Sequence, residues 1–444
     1  MTKLKISATV FATLLAMPML LVVETLVDPS ASAYAQRTEK PKRQTKRVES
    51  IPQALIKDFE KLNEAFDAEN IAEAERILNK LEAKPDLNNI SRAYIYNYRG
   101  NIYFSRDNLN GALREFKKLL AITEGLPESF YNQIIYVVAQ VYFSQENYGE
   151  ALNYAQRWFR TQEDPAADAY MLVGQAQYML KRYDDALPNV QKGIQKYVDL
   201  GSIPKEGWLN LLSSIYRQKN DFKKMLPVLK QLVLHYPKKT YLLTMGGVYN
   251  ELNDQKKMTA IYQAMYDQGL LDKESELVTL ASLHLSLDNP YKAAMIMEKG
   301  LDAGIIKKDA KNYRIYSQAL YIAREYEKAL APLSQAAKMA KDGKLYDQLG
   351  QSYIALNRWK EAERALGNAL AKGGLQNPGQ TAISQGLARF EQKNYDGAKA
   401  AFRKAMKYDK TAGPAKKWVQ YVDSEVYRLA ELKKEIVINT DVEV

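Results

Sequence analysis

Two histidines, His235 and His284, and no cysteine are all that this 444-residue chain offers in the way of imidazole or thiolate groups for nucleophilic or metal chemistry. Neither histidine has a second ligand four residues on, and His284 falls where other parts of the chain carry a tyrosine, so a packed histidine is expected there rather than a metal site. No H-E-x-x-H, Walker loop or G-x-S-x-G stretch occurs. Carboxylates are abundant but sit three or four residues from Lys or Arg, the spacing of solvated pairs on a helix surface. A pair of carboxylates working as acid and base is not signalled anywhere. The expectation is a protein that is not an enzyme and needs no cofactor or metal.

What does recur is a spacing of small residues. Pairs twelve apart run along the chain: Leu62/Ala74, Gly100/Ala112, Ala139/Ala151, Gly174/Ala186, Ser213/Met225, Gly246/Met258, Ala281/Ala293, Ser317/Ala329, Gly350/Ala362 and Gly386/Ala398. Successive first members lie 33 to 39 residues apart. A period in that range signals a repeat architecture. Between the paired residues lie turn sequences such as DNLNGA, ENYGEA, NRWKEA and KNYDGA, whose Asn and Asp suit turns and helix N-caps. Apolar residues on both sides follow helical spacing. Each unit therefore reads as helix, turn, helix, with small residues where the two backbones cross. An aromatic three residues before the second member (Tyr148, Tyr183, Phe222, Tyr326, Trp359, Tyr395) fills the space beside that crossing. Gly269-Leu270, Gly304-Ile305 and Gly374-Leu375 read as helix C-caps.

This pattern resembles the tetratricopeptide repeat (TPR) family over about residues 52 to 412. The resemblance rests on the small residue, the aromatic three on (Tyr103, Tyr142, Tyr216, Tyr249, Tyr353), the alanine, and the large residue after it (Phe116, Leu229, Tyr262, Phe402). It implies an all-α fold, a right-handed helical solenoid of about ten repeats with a concave face that binds proteins or extended peptides. A solenoid needs its end covered. The stretch 413–434, with Trp418, Tyr421, Val422, Leu429 and Leu432 near one face, is expected to be a capping helix.

In that family the groove is lined from positions three and six before the first small residue and one, four and five after it. Carried onto this chain, those positions hold Tyr94, Asn97, Asn101 and Phe104, then Gln133, Tyr136, Gln140 and Phe143, then Met171, Gln175 and Tyr178, then Asn210, Arg217 and Gln218. Amides can bond a peptide backbone whatever its sequence, and aromatics add contact area at small entropic cost. The competing reading is that some of these aromatics pack between helices. The later repeats offer Lys311, Arg314, Gln318, Tyr321, Lys344, Asp347 and Gln351, a more polar set. The carboxylate clamp of chaperone-binding TPR proteins wants lysine beside its asparagines, and Asn97 and Asn101 stand without it.

The N-terminus has the three parts of a secretory signal: Lys3 and Lys5, an uncharged run over 6–23, and Ala33 and Ala35 ahead of Gln36. Residues 1–35 are expected to be removed before Gln36, leaving the protein in the periplasm; the alternative is an uncleaved inner-membrane anchor over 6–23. Net charge is +11, and much of it lies in a basic leader, 36–51, with Arg37, Lys40, Lys42, Arg43, Lys46 and Arg47 against Glu39 and Glu49. Export argues against nucleic acid as the partner. The leader reads either as a contact with an anionic membrane surface or as a solvated tether. The tail 435–444, EIVINTDVEV, is rich in β-branched residues and reads as disordered or as a strand added to a partner's sheet.

Phrases such as LNEAFDAENIAEAERIL and GQAQYMLKRYDDAL resemble the periplasmic TPR proteins that accompany one class of TonB energy-transduction systems in Gram-negative bacteria. That resemblance implies a scaffold assisting TonB, ExbB and ExbD in siderophore-iron uptake, with the TonB or ExbD periplasmic domains as partners. The alternative within binding proteins is a scaffold for envelope biogenesis: peptidoglycan synthesis, secretion or polysaccharide export.

Overall fold

The computed structural model describes residues 48–440, the last of them, 433–440, by backbone alone. The expected signal peptide and nearly all of the basic leader lie outside the described residues. Among those described, every regular element is a helix, and none is long and apolar enough to cross a membrane. The chain divides into two compact units, Met1–Tyr236 and Pro237–Val444.

In the first unit ten helices form five antiparallel pairs: α1 (Gln53–Asp67) with α2 (Ile71–Glu82), α3 (Asn89–Ser105) with α4 (Leu109–Leu120), α5 (Glu128–Ser144) with α6 (Tyr148–Phe159), α7 (Ala167–Met179) with α8 (Tyr183–Asp199), and α9 (Glu206–Gln218) with α10 (Phe222–His235). The second unit repeats this with α11 (Lys239–Glu251) and α12 (Gln255–Asp267), α13 (Glu274–Ser286) and α14 (Pro290–Asp302), α15 (Ala310–Ile322) and α16 (Tyr326–Met339), α17 (Lys344–Ala355) and α18 (Trp359–Lys372), and α19 (Pro378–Glu391) and α20 (Tyr395–Ala405). A final helix, α21 (Asp409–Thr440), packs on α20 and α19. Each unit is a helical solenoid of stacked repeats.

The turn inside every pair has one construction. The residue seven after the first small position has a positive φ, between 53° and 63°, in all ten repeats, from Glu69 to Lys393. The next residue then sends its N–H back to the carbonyl three after the small position, as Asn108 does to Tyr103 at 2.8 Å and Arg358 to Tyr353 at 2.9 Å. That bond closes the first helix. The same residue opens the second helix as its N-cap; the side chains of Asn70, Asn108, Asn147, Asp221, Asp254 and Asn394 accept from the backbone N–H three residues on. A fixed turn gives a fixed crossing, and a fixed crossing is why the twelve-residue offset repeats.

Nineteen of the twenty paired residues are buried; Met258 alone is half-buried. The small first residue serves a purpose slightly different from the expected approach of two backbones. A Cβ on Gly100 would lie 2.5 Å from the ring of Phe116, on Gly350 2.5 Å from Leu366, and on Gly386 2.5 Å from the ring of Phe402. The glycine is a socket for the side chain sixteen residues later. Phe116 and Phe402 are the largest fully buried side chains among the described residues, each worth roughly 3 kcal/mol of transfer from water. Where the socket holds Ser317, its hydroxyl donates to the Ala329 carbonyl at 2.9 Å, so the paired residues do touch across the crossing.

The final helix differs from the expected bounds of the cap at both ends. The Trp418 ring stacks on Phe402 at 5.5 Å, and Ala415 and Val422 are buried. The helix begins at Asp409 rather than 413 and does not stop at Lys434: the backbone stays helical to Thr440, through residues expected to be disordered or extended. Adding a residue to an existing helix gains a hydrogen bond without a new nucleation step, and β-branched residues lower helix propensity by only a few tenths of a kcal/mol, up to about 0.7. Residues 441–444 lie outside the described residues.

At the other end, Val48 forms a single parallel β-bridge with Gly125. Glu49 donates its N–H to the Gly125 carbonyl at 2.9 Å, and its carboxylate accepts from the Asn89 N–H at 2.8 Å, at the start of α3. Gly125 has φ +79°, and a Cβ there would meet the Glu49 side chain at 2.7 Å. The point where the basic leader joins the first unit is thus held against two inter-repeat loops.

Candidate functional site: the first helices of the repeats

The positions expected to line a groove all lie on the first helix of a pair. In the first unit they fall into three groups. The aromatics are largely engaged in packing. Tyr94 on α3 stacks on Phe130 of α5, with ring centroids 5.0 Å apart, and meets Phe59 of α1 edge-on at 6.1 Å. Tyr136 on α5 lies 4.6 Å from Trp158 of α6. Phe143 and Tyr178 pack on the first residue of their own second helices, Tyr148 at 5.2 Å and Tyr183 at 5.5 Å, and Phe104 joins the core around α4 and α5. Burial raises the phenol pKa of Tyr94 and of Tyr136, and the Asp168 charge adds to the shift at Tyr136; both stay neutral hydrogen-bond donors.

Met171 is not a groove residue. It is only 5% exposed, and its Cγ and Sδ lie where a Cβ on Gly193 of α8 would come within 3.0 Å. The long thioether fills the space left by that glycine, so the side chain is spent inside its own repeat.

The amides form the third group. Asn97, Asn101, Gln133, Gln140 and Gln175 are all half-buried on the first helices of three consecutive repeats. Asn101 donates to the Asn97 Oδ1 at 3.3 Å. The Gln140 Oε1 is buried and has no hydrogen-bond partner, a costly state that a donor from outside would relieve. Beyond them, Asn210 is half-buried, while Arg217 and Gln218 at the end of α9 are exposed. The neighbouring Tyr98, pushed up to about 12 by burial and by the nearby Asp67 charge, donates to the Asn63 Oδ1 at 2.9 Å and extends the amide row to the first repeat.

In the second unit the same positions are more open. Lys311, Arg314, Gln318 and Tyr321 on α15 are exposed, Tyr321 at 55%. Lys344 pairs with Asp342 at 3.0 Å, and Gln351 donates to the Ser384 hydroxyl at 3.0 Å. Asp347 is half-buried, with its Oδ1 unpartnered. The histidine expected to be a packed residue is one: His284 is 4% exposed and its Nε2 is 2.7 Å from the Gln263 Oε1. Burial lowers its pKa, and Lys292 lowers it further. Among the described residues no group of three or more metal-ligating side chains comes together.

Residues 348–415 match the family model described as tetratricopeptide repeat, and residues 105–193 match that described as anaphase-promoting complex, cyclosome, subunit 3. The stretch 348–415 is thus similar to tetratricopeptide repeats. Similar solved structures include the TPR2AB domain in the pHSP90 complex of yeast Sti1, 14% identical over 59% of this chain and 98% of that one, TM-score 0.35. They also include YrrB, a TPR protein with an unusual peptide-binding site, 16% identical over 43% of this chain and 91% of that one, TM-score 0.34. A third is MamA 41-end from Desulfovibrio magneticus RS-1, 16% identical over 40% and 94%, TM-score 0.34. At these TM-scores nothing about what this chain binds follows from the likeness. No curated protein matches the chain.

The partners that occupy the aromatics, Phe130 and Trp158, escaped the sequence reading. Their signal was present but faint: Phe130 lies 36 residues after Tyr94, one repeat on, where neighbouring first helices meet, and Trp158 lies 22 after Tyr136, on the second helix of the same pair.

Proposed function

We propose that this chain is a non-enzymatic periplasmic scaffold that binds envelope proteins and assists a TonB–ExbB–ExbD system in siderophore-iron uptake. The observation that carries the binding role is the set of half-buried amides, Asn97, Asn101, Gln133, Gln140 and Gln175, within which the buried Gln140 Oε1 has no partner. A primary amide offers both a donor and an acceptor, which is what the backbone of an extended polypeptide requires. The compartment is inferred from Lys3, Lys5, the uncharged run that follows and the Ala33/Ala35 pair, and the absence of cysteine agrees with it. The link to TonB or ExbD rests on the sequence resemblance. The basic leader, joined to the array at the Glu49–Gly125 contact, is proposed to touch an anionic membrane surface.

A deletion strain tests this. The wild-type gene should restore growth on siderophore iron, and its product should appear in the osmotic-shock fraction. A Gln133→Ala, Gln140→Ala, Gln175→Ala variant should fold, accumulate and fail to restore growth. Cytoplasmic retention, or growth unaffected by the deletion under iron limitation, would contradict the proposal. A growth defect independent of iron would favour the envelope-biogenesis scaffold instead.

A further inference from the structure

The second unit contains an open cavity of about 380 Å³ between α13 and α15, lined by Lys273, Glu274, Ser275, Val278, Lys311 and Asn312. Its volume falls near the lower end for ligand sites, about 300–1,000 Å³. Asn312 is 1% exposed and is built into the wall. Its Nδ2 donates to the Glu274 Oε1 at 2.8 Å and to the Lys307 carbonyl at 3.0 Å, which fixes the orientation of the amide. Its Oδ1 is then left buried without a donor.

The charges around the cavity are also unbalanced. Glu274, itself in the lining, accepts from Asn312 and has no cation within ion-pair distance among the described residues. Glu276 and Asp272 are both engaged by Lys239, so the lining carries two lysines against one carboxylate. Lys273 and Lys311, both exposed, have no carboxylate within ion-pair distance among the described residues, nor does Arg314 one turn further along α15. The site therefore asks for two things together: an N–H to satisfy the Asn312 Oδ1 and a negative charge to meet the lysines. A simple anion supplies the second but not the first. A basic peptide supplies the first and is repelled. An extended polypeptide with acidic side chains supplies both, since its backbone N–H groups and its carboxylates alternate along one strand.

We propose that this cavity is a binding site, separate from the amide row of the first unit, for an internal acidic segment of an extended polypeptide. A free chain terminus is not required. The backbone N–H engages the Asn312 Oδ1, the carboxylates engage Lys273 and Lys311, and Val278 supplies the apolar floor.

Fluorescence anisotropy on the full mature chain tests it, with a labelled hexaglutamate peptide acetylated at one end and amidated at the other. The capped peptide should bind. Lys311→Glu should weaken it about tenfold or more, since it exchanges attraction for repulsion at the site, whereas the equal charge change Lys410→Glu on an exposed residue of α21 should not. A hexaglutamate with N-methylated amides keeps its charge but loses its donors and should bind about tenfold more weakly as well. Circular dichroism should be unchanged in both variants. The proposal is overturned if the capped hexaglutamate does not bind, if Lys311→Glu and Lys410→Glu behave alike, if capped hexalysine binds as well, or if the N-methylated peptide or free glutarate competes equally.

Discussion

The two units share a core and differ in what they do with their first helices. In both, a glycine socket receives the side chain sixteen residues on, Phe116 in the first unit and Phe402 in the second, and in both a left-handed turn residue sets the crossing. The groove positions diverge. In the first unit Tyr94, Tyr136, Phe143 and Tyr178 all pack against other rings and none is exposed, and the side chains left for a partner are amides. In the second unit Tyr321 meets Tyr326 edge-on at 5.2 Å, as Phe143 and Tyr178 meet their partners, yet stays 55% exposed. Lys311 and Arg314 also stand exposed, Lys311 in the lining of a cavity with an unsatisfied amide oxygen. A position within a repeat therefore fixes where a side chain is anchored. Whether it is available is decided by the size of its neighbours.

The shared core gives the largest expected effect. Gly100→Leu and Gly350→Leu should each cost about 1–3 kcal/mol, because the added side chain meets Phe116 or Leu366 at the socket. Gly207→Ala on α9, with nothing within 4 Å, should change stability by less than about 0.5 kcal/mol. Urea denaturation followed by circular dichroism checks all three. Near-equal losses for the two socket variants would support a common core; a loss in one unit only would break the comparison.

The divergence of the groove is tested by a matched pair. Tyr136→Ala removes a half-buried ring packed on Trp158 and should cost about 2 kcal/mol. Tyr321→Ala removes a ring that is 55% exposed and meets Tyr326 edge-on at 5.2 Å, and should cost about 1 kcal/mol or less. Equal costs in the same denaturation experiment would mean that the two grooves do not differ in the way described.

These pairs mark what was legible in the sequence. The ten crossings were readable because the turn and socket are local, spanning sixteen residues with the same geometry each time. The packing of Tyr94 on Phe130 was not, because it joins side chains of different repeats and depends on ring size and rotamer rather than spacing. Met171 was misassigned for the same reason: Gly193, on the second helix, opened a space that the long side chain filled. The left-handed turn residues were half-visible. Asp107, Asn220, Asn253, Asp288 and Asn357 are types that tolerate positive φ, whereas Glu69, Glu146, Lys181, Arg324 and Lys393 hold it only because the two helices around them are packed. The end of α21 was hidden by composition, since β-branched residues in 435–440 continue a helix already formed.

A smaller effect separates His284 from the tyrosines that occupy its position in other repeats. Burial lowers its pKa below the ordinary value of 6.5, so the unfolded chain binds a proton more readily than the folded one. Its contribution to stability should be constant above the unfolded pKa and decline as pH falls from about 6.5 toward the lower folded value. His284→Tyr should remove that part of the pH dependence between pH 7.5 and pH 5.5. An unchanged slope in denaturation midpoints against pH would show that the imidazole is not held neutral in the core.

The central claim is that the amide row of the first unit holds a protein partner. A photo-crosslinking amino acid placed at Gln140 in intact cells, with the adduct identified by mass spectrometry, addresses it most directly. The account predicts a single dominant adduct with an envelope protein, the periplasmic domain of TonB or ExbD, that is lost when Gln133 and Gln175 are replaced by alanine. No adduct at Gln140, or an adduct that persists unchanged without those two amides, would contradict it.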